Sequence, residues 1–305
     1  MKVLLFGKNG QVGWELQRSL APLGEVVALD FDSKDHCGDF TNLEGLGKAV
    51  RSIRPDVIVN AGAHTAVDKA ESEPDLVRTI NALAPGGLAT AAASIGAWLV
   101  HYSTDYVFDG SGTTPWVETD TPAPLSVYGR TKLEGEQLIA ASGCQHLIFR
   151  TSWVYAARGG NFAKTMLKLG QERETLKVVA DQFGAPTGAD LLADTTAHAV
   201  RHVLALPASK AAELSGIYHL VAHGHTSWIE YAKEVFSHVL IGEFAIKIVV
   251  KSVEPVSSSA YPTAARRPLN SRLCTDKLQS TFNLTLPHWK PGVTRMLTEF
   301  LEKQA

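Results

Sequence analysis

The stretch VLLFGKNGQVG, Val3 to Gly13, sets a short apolar run directly before three glycines spaced three apart. Such a run reads as a buried strand, and Gly7, Gly10 and Gly13 read as a tight turn into a helix over Val12 to Leu20. Glycine lets the backbone turn sharply and approach a pyrophosphate, while the free amides at a helix start favour an anion. Gln11 and Val12 lie between the last two glycines and join them as expected cofactor contacts. Asp30 ends a second apolar run, VVALD, where its carboxylate is placed to accept from an adenosine ribose hydroxyl. A carboxylate there favours NADH, whereas Ser33 and Lys34 just behind it offset the repulsion of an extra phosphate. The expected cofactor is therefore NADPH or NADH. Asp39 and Phe40 are expected beside the adenine, and Ala61 to Thr65, with Ala63, His64 and Thr65 foremost, are expected to line the cofactor cleft.

Outward from this turn, further short runs follow: VIVN at Val57 to Asn60, WLVHYST at Trp98 to Thr104, and HLIFRT at His146 to Thr151. Strands buried on both faces lose polar alternation, so these runs predict a parallel sheet. Amphipathic spacing predicts helices at Val12 to Leu20, Leu43 to Arg51, Leu76 to Ser94 and Thr131 to Ser142. The alternation predicts an α/β fold with a Rossmann-like doubly wound parallel sheet and a smaller C-terminal substrate-binding region. Residues 1–150 are read as the dinucleotide-binding domain, with some later segments returning to it, and 151–305 as mainly substrate-binding. Helices are expected near Phe162 to Gln171, Asp190 to Ala205 and Trp228 to Leu240, among loops rich in Gly, Pro and Asn. Pro255 to Ser271 has a linker's composition, although Arg266 and Arg267 make a binding loop a competing reading.

With 305 residues, 45% hydrophobic and 20% charged, the chain can bury a substantial core. Its formal charge of −2 gives no reason to expect nucleic acid or a membrane surface as partner. Gly7 interrupts the N-terminal apolar run, so no export signal is expected. Three dispersed cysteines fit a reducing cytoplasm, and neither they nor the 11 histidines form a transition-metal ligand pattern.

Chemistry enters at Tyr128 and Lys132, one helical turn apart and so on one face. A free phenol titrates near ~10, and a neighbouring ammonium is expected to lower that value and to hold a ribose. Thr104 ends the fourth apolar run, at the sheet edge where ligands bind. Its hydroxyl is expected to orient a ketone and Tyr128. Thr104, Tyr128 and Lys132 are thus the expected catalytic set.

GKNGQVG, NAGAHTAVDKAE, HYSTDYVFDG, YGRTK, RTSWVY, DQFGAPTG and ARRPLNS, in this order, resemble the extended short-chain dehydrogenase/reductase superfamily and, within it, the dTDP-4-dehydrorhamnose reductase family. The resemblance covers essentially the whole chain. It implies reduction of the 4-keto group of dTDP-4-dehydro-6-deoxy-L-mannose, giving dTDP-L-rhamnose for cell-surface polysaccharide such as O-antigen. It also implies Asp105 and Trp153 as contacts of the sugar and Arg267 as a candidate for the pyrophosphate. Some family members are magnesium-bridged homodimers, and Glu15 and Asp190 match two acidic positions. Lys290-Pro291-Gly292 stands where a further acid is expected, which weakens the Mg2+ expectation and that of a metal-dependent homodimer.

Two other classes compete. A related epimerase or 4,6-dehydratase would return the hydride to its substrate, but Tyr106 follows Asp105 where the dehydratases carry a second carboxylate. A non-catalytic NADP-binding regulatory subunit, such as that of animal methionine adenosyltransferase, would need only the nucleotide fold.

Overall fold

The computed structural model describes residues 1–242 and 244–303. All five expected runs are strands: β1 (Lys2–Phe6), β2 (Glu25–Leu29), β3 (Val57–Asn60), β4 (Trp98–Thr104) and β5 (His146–Thr151). A sixth, Gly216–His219, was not among the expected runs. The sheet runs β2, β1, β3, β4, β5 and then Gly216–His219, with every neighbour parallel. The strand order reverses between β1 and β3, and a ligand crevice opens at the carboxyl ends of two such strands. Gly7 and Ala61 stand at that point.

Helices α1 (Gln11–Leu20), α2 (Leu43–Ile53), α3 (Val67–Ala70), α4 (Pro74–Arg78), α5 (Ala84–Ile95) and α6 (Val127–Ala141) alternate with these strands. On β1, Val3 and Leu5 face Leu16 and Leu20 of α1, whereas Leu4 and Phe6 face Leu46 and Val50 of α2 and Leu88 of α5. All four β1 side chains are fully buried, each stabilising the fold by about 1.5–3 kcal/mol as an upper estimate. Between α4 and α5 the helix widens into a π turn at Thr79–Leu83. Asn81 in that turn donates to the His64 carbonyl and accepts from its amide, fixing the loop after β3.

The later half serves two cores. Leu192 and Val200, from a helix over Ala189–Ala205, join Tyr218 and Phe282 in the core around α1. The chain beyond residue 150 therefore completes the first layer as well as building its own. The second core gathers Leu167, Val235, Trp289 and Leu297 around a parallel strand pair, Thr175–Val179 with Ser252–Val256. The segment read as a linker is ordered: Asn270 N–H donates to the Gly110 carbonyl and Ser271 N–H to that of Phe183. It straps the two halves together. No helix among the described residues is long and apolar enough to cross a membrane.

Candidate active site

Gly7 adopts a left-handed φ of 82°, and a Cβ there would stand 2.7 Å from Gly62 N. A Cβ on Gly13 would overlap the Gly7 carbonyl, so glycine is required for the turn to close. Gly10 differs: its Cβ would meet only that carbonyl, at 3.4 Å, so its outward side is open to a ligand. Gln11 and Val12 begin α1, and Gly10 caps it with no side-chain bond to the first amides. Asp30 lies just past β2, where its carboxylate accepts from Asn9 N–H and Phe31 N–H, both at 2.9 Å. The acid is thereby tied to the glycine turn. This cradle of free amides, an open glycine face and a strand-end carboxylate fits a dinucleotide.

The other expected cofactor residues divide. Phe40 is buried edge-on to Phe6 and lies beneath Gly62, where it shapes the floor. Asp39 caps its own loop through Thr41. Ala63 and Thr65 are exposed, and His64 is held by Asn81 and stands 3.7 Å from Glu73.

Tyr128 lies in the first turn of α6, which starts earlier than expected because the Ser126 hydroxyl accepts from Gly129 N–H. Thr104 ends β4 opposite Thr151 of β5; its hydroxyl donates to Asp105 Oδ1 and accepts from Tyr106 N–H, both at 3.1 Å. Burial pushes the Tyr128 phenol up to about 12, opposed by a hydrogen bond with Thr104 and reinforced by the Asp105 carboxylate. This corrects the expectation that Lys132 lowers it. The Lys132 amine turns inward, to the Tyr102 carbonyl and to His101 Nε2 at 3.2 Å. Burial holds it down to about 8, with Glu136 pulling it up. At neutral pH Tyr128 is therefore a phenol with a proton to give.

Asp105 is 2% exposed, and its Oδ2 has no partner. Burial raises its carboxyl to about 7 against the pull of the Ser271 and Thr104 hydroxyls. Unpartnered polar atoms of Ser103 and Thr151 occur at the ends of the neighbouring strands. Trp153 adopts φ 48°, a strained setting for a bulky residue, and stacks on Trp228 at 3.5 Å between centroids. Arg267 is half-buried and Arg266 exposed. Arg267 grips Asp68 of α3 at 2.7 and 3.3 Å and lowers that acid's pKa.

Glu15 and Asp190 line one shallow cavity with Tyr155, Arg295 and Glu299. Glu15 pairs with Arg18 and Asp190 with Arg295, each at 3.3 Å, and a Cβ on Gly292 would meet the Tyr155 hydroxyl. Among the described residues no cluster of three potential metal ligands occurs. Each of these two carboxylates thus faces a guanidinium group within this chain.

Sequence reasoning missed Asn60, Asp68, His101, Tyr106 and Trp228. The signals available were a polar Asn60 closing the run VIVN and a polar His101 inside WLVHYST.

A glycine turn at the switch point, with a threonine, tyrosine and lysine along one sheet edge, defines a nicotinamide-dependent oxidoreductase of the short-chain dehydrogenase/reductase type. The family model described as RmlD substrate binding domain matches residues 1–302. A dTDP-4-dehydrorhamnose reductase of Escherichia coli (strain K12) is 58% identical over 305 residues, covering 100% of each chain. The crystal structure of such a reductase from Clostridium acetobutylicum superposes with a TM-score of 0.85 at 37% identity, covering 98% of this chain and 99% of that one. One from Bacillus anthracis, in complex with NADP, gives 0.83 at 37% identity, with coverage of 98% and 99%. The chain belongs to the dTDP-4-dehydrorhamnose reductase family.

Proposed function

We propose that this protein reduces the 4-keto group of dTDP-4-dehydro-6-deoxy-L-mannose to give dTDP-L-rhamnose, using NADPH or NADH, in the cytoplasm. The observation that carries the reading is Thr104 and a protonated Tyr128 along the sheet edge that also bears the glycine turn. Bound nicotinamide supplies the hydride for sugar C4. Tyr128 gives its proton to the developing alkoxide oxygen, and Thr104 holds the phenol in line. Lys132, in its charged form, donates to the ribose once it leaves the Tyr102 carbonyl. Asp105 and Trp153 are assigned to the sugar, and Arg267 to the pyrophosphate, whose paired oxygens can take the place of the two Asp68 carboxylate oxygens on the guanidinium fork. The product would feed cell-surface polysaccharide such as O-antigen.

Nicotinamide oxidation with purified dTDP-4-dehydro-L-rhamnose, run with NADPH and NADH in parallel, tests the reading. One cofactor should be consumed per product; product without net consumption would mean an epimerase or dehydratase. Tyr128→Phe should keep cofactor affinity and lose turnover by about 10²–10⁴-fold. Undiminished turnover would remove Tyr128 from the chemistry.

A further inference from the structure

A row of buried polar groups runs from the cofactor cleft to Lys132. Gly62 N–H, in the loop after β3, donates to Asn60 Oδ1 at 3.0 Å. The Asn60 amide nitrogen lies 3.0 Å from His101 Nδ1, and His101 Nε2 lies 3.2 Å from Lys132 Nζ. Asn60 and His101 are register partners on β3 and β4, and none of the three side chains is more than 2% exposed.

The donor count fixes the direction of this row. Gly62 N–H can only donate, so it claims the Asn60 carbonyl oxygen. The Asn60 amide must then donate to His101 Nδ1, which leaves the imidazole proton on Nε2. The ring meets Lys132 with an N–H rather than a lone pair. An ammonium cannot accept that N–H, whereas a neutral amine can.

We propose, on the basis of the reductase reading above, that Asn60 and His101 are positioning residues for Lys132: their hydrogen-bond row orients the amine and disfavours its charged form. Burial works in the same sense as the row, whereas the charged groups around Lys132 do not. Glu136, one turn on, favours the charge and is paired with Arg150 of β5. Tyr128, Asp105 and Tyr106 stand toward the front of α6, Asn81 is spent on His64, and Glu71, just past α3, accepts from Val127 N–H at the start of α6. Asp68 is held by Arg267, Lys69 by Glu73, and Arg78 by Glu134 on the outer face. Burial also keeps His101 neutral, its own titration falling well below the ordinary range. The row connects Gly62, which abuts the glycine turn, to the lysine, so the same loop shapes the cofactor floor and conditions the amine.

Asn60→Asp reverses the row. Its two oxygens accept from Gly62 N–H and from His101 Nδ1–H, turning a lone pair toward an ammonium. The pH profile of kcat/KM for NADPH reports groups of the free enzyme. With a charged Lys132 required, activity falls as pH rises through the lysine's pKa. In Asn60→Asp this fall should move up by about one pH unit, so that roughly fivefold more of the plateau activity survives at pH 9. His101→Phe, which removes the N–H, should move it the same way by less. NADPH affinity, followed by fluorescence, should shift in parallel. An unshifted or downshifted profile in both variants overturns the proposal, even if both lose activity. ¹⁵N-histidine NMR of the unsubstituted protein is independent of whether the variants fold: His101 should carry its proton on Nε2, and a proton on Nδ1 also overturns it. Wild-type turnover on the dTDP-sugar separates failure of this proposal from failure of the reductase reading.

Discussion

Replacing Asp105 by asparagine should stabilise the protein at neutral and alkaline pH while impairing it as an enzyme. The carboxyl is buried, its Oδ2 lacks a partner, and its pKa rises from 3.8 to about 7. A raised carboxylate pKa means the folded state prefers the protonated acid. The stability this confers is complete below the unfolded value near 3.8 and is lost as pH climbs through about 7. The displacement, about three units at about 1.4 kcal/mol each, sets a ceiling of about 4 kcal/mol on the cost of ionised Asp105. Asparagine is neutral at every pH and keeps an oxygen to accept from the Thr104 hydroxyl, so it removes most of this cost. We expect Asp105→Asn to exceed the wild type by about 1–3 kcal/mol at pH 8, with the difference closing towards pH 4. Urea unfolding of both proteins without nicotinamide, repeated between pH 4 and pH 9, measures it. A pH-independent difference, or a wild type that is the more stable at pH 8, would refute the reasoning. The KM for the sugar nucleotide should rise in the same variant.

Gly10→Ala and Gly13→Ala should separate binding from folding: the first leaves the melting temperature nearly unchanged and weakens NADPH at least tenfold, about 1.4 kcal/mol. The second lowers both, because its Cβ strikes the Gly7 carbonyl; calorimetric titration and thermal melts distinguish them, and intact affinity in both would discount the glycine cradle. Glu136→Ala leaves the Arg150 guanidinium uncompensated in the core and should cost about 3–5 kcal/mol in urea unfolding. It also removes the upward pull on Lys132, so the alkaline fall in kcat/KM should move to lower pH; an unmoved fall would deny Glu136 that influence.

The first half of the fold was legible because β1, β3, β4 and β5 are buried on both faces, so each carries a core of three or four consecutive apolar residues, with polar residues such as His101 and Arg150 few among them. Gly216–His219 escaped notice because Gly-Ile-Tyr-His is short and carries only two large apolar side chains. Its place in the sheet comes from pairing with β5, a contact made across some seventy residues. Tyr128, Lys132 and Thr104 were legible as chemistry, since their spacing and order carry the signal. The direction of the Lys132 amine was not, because its partners are a main-chain carbonyl and a histidine about thirty residues upstream. Nor does adjacency separate Arg266 from Arg267. Asp68, nearly two hundred residues earlier, turns only the second inward.

The helix over Ala189–Ala205 covers Leu16 and Leu20 of α1, and the strand Gly216–His219 borders β5. On the ribosome, the glycine turn is made well before that helix, and the face of α1 behind it stays uncovered until the chain has been extended through residue 205. The order of synthesis and the order of closure thus run in opposite senses, and a nascent chain stopped near residue 150 holds every glycine for the nucleotide but lacks the side chains that would close the layer behind them.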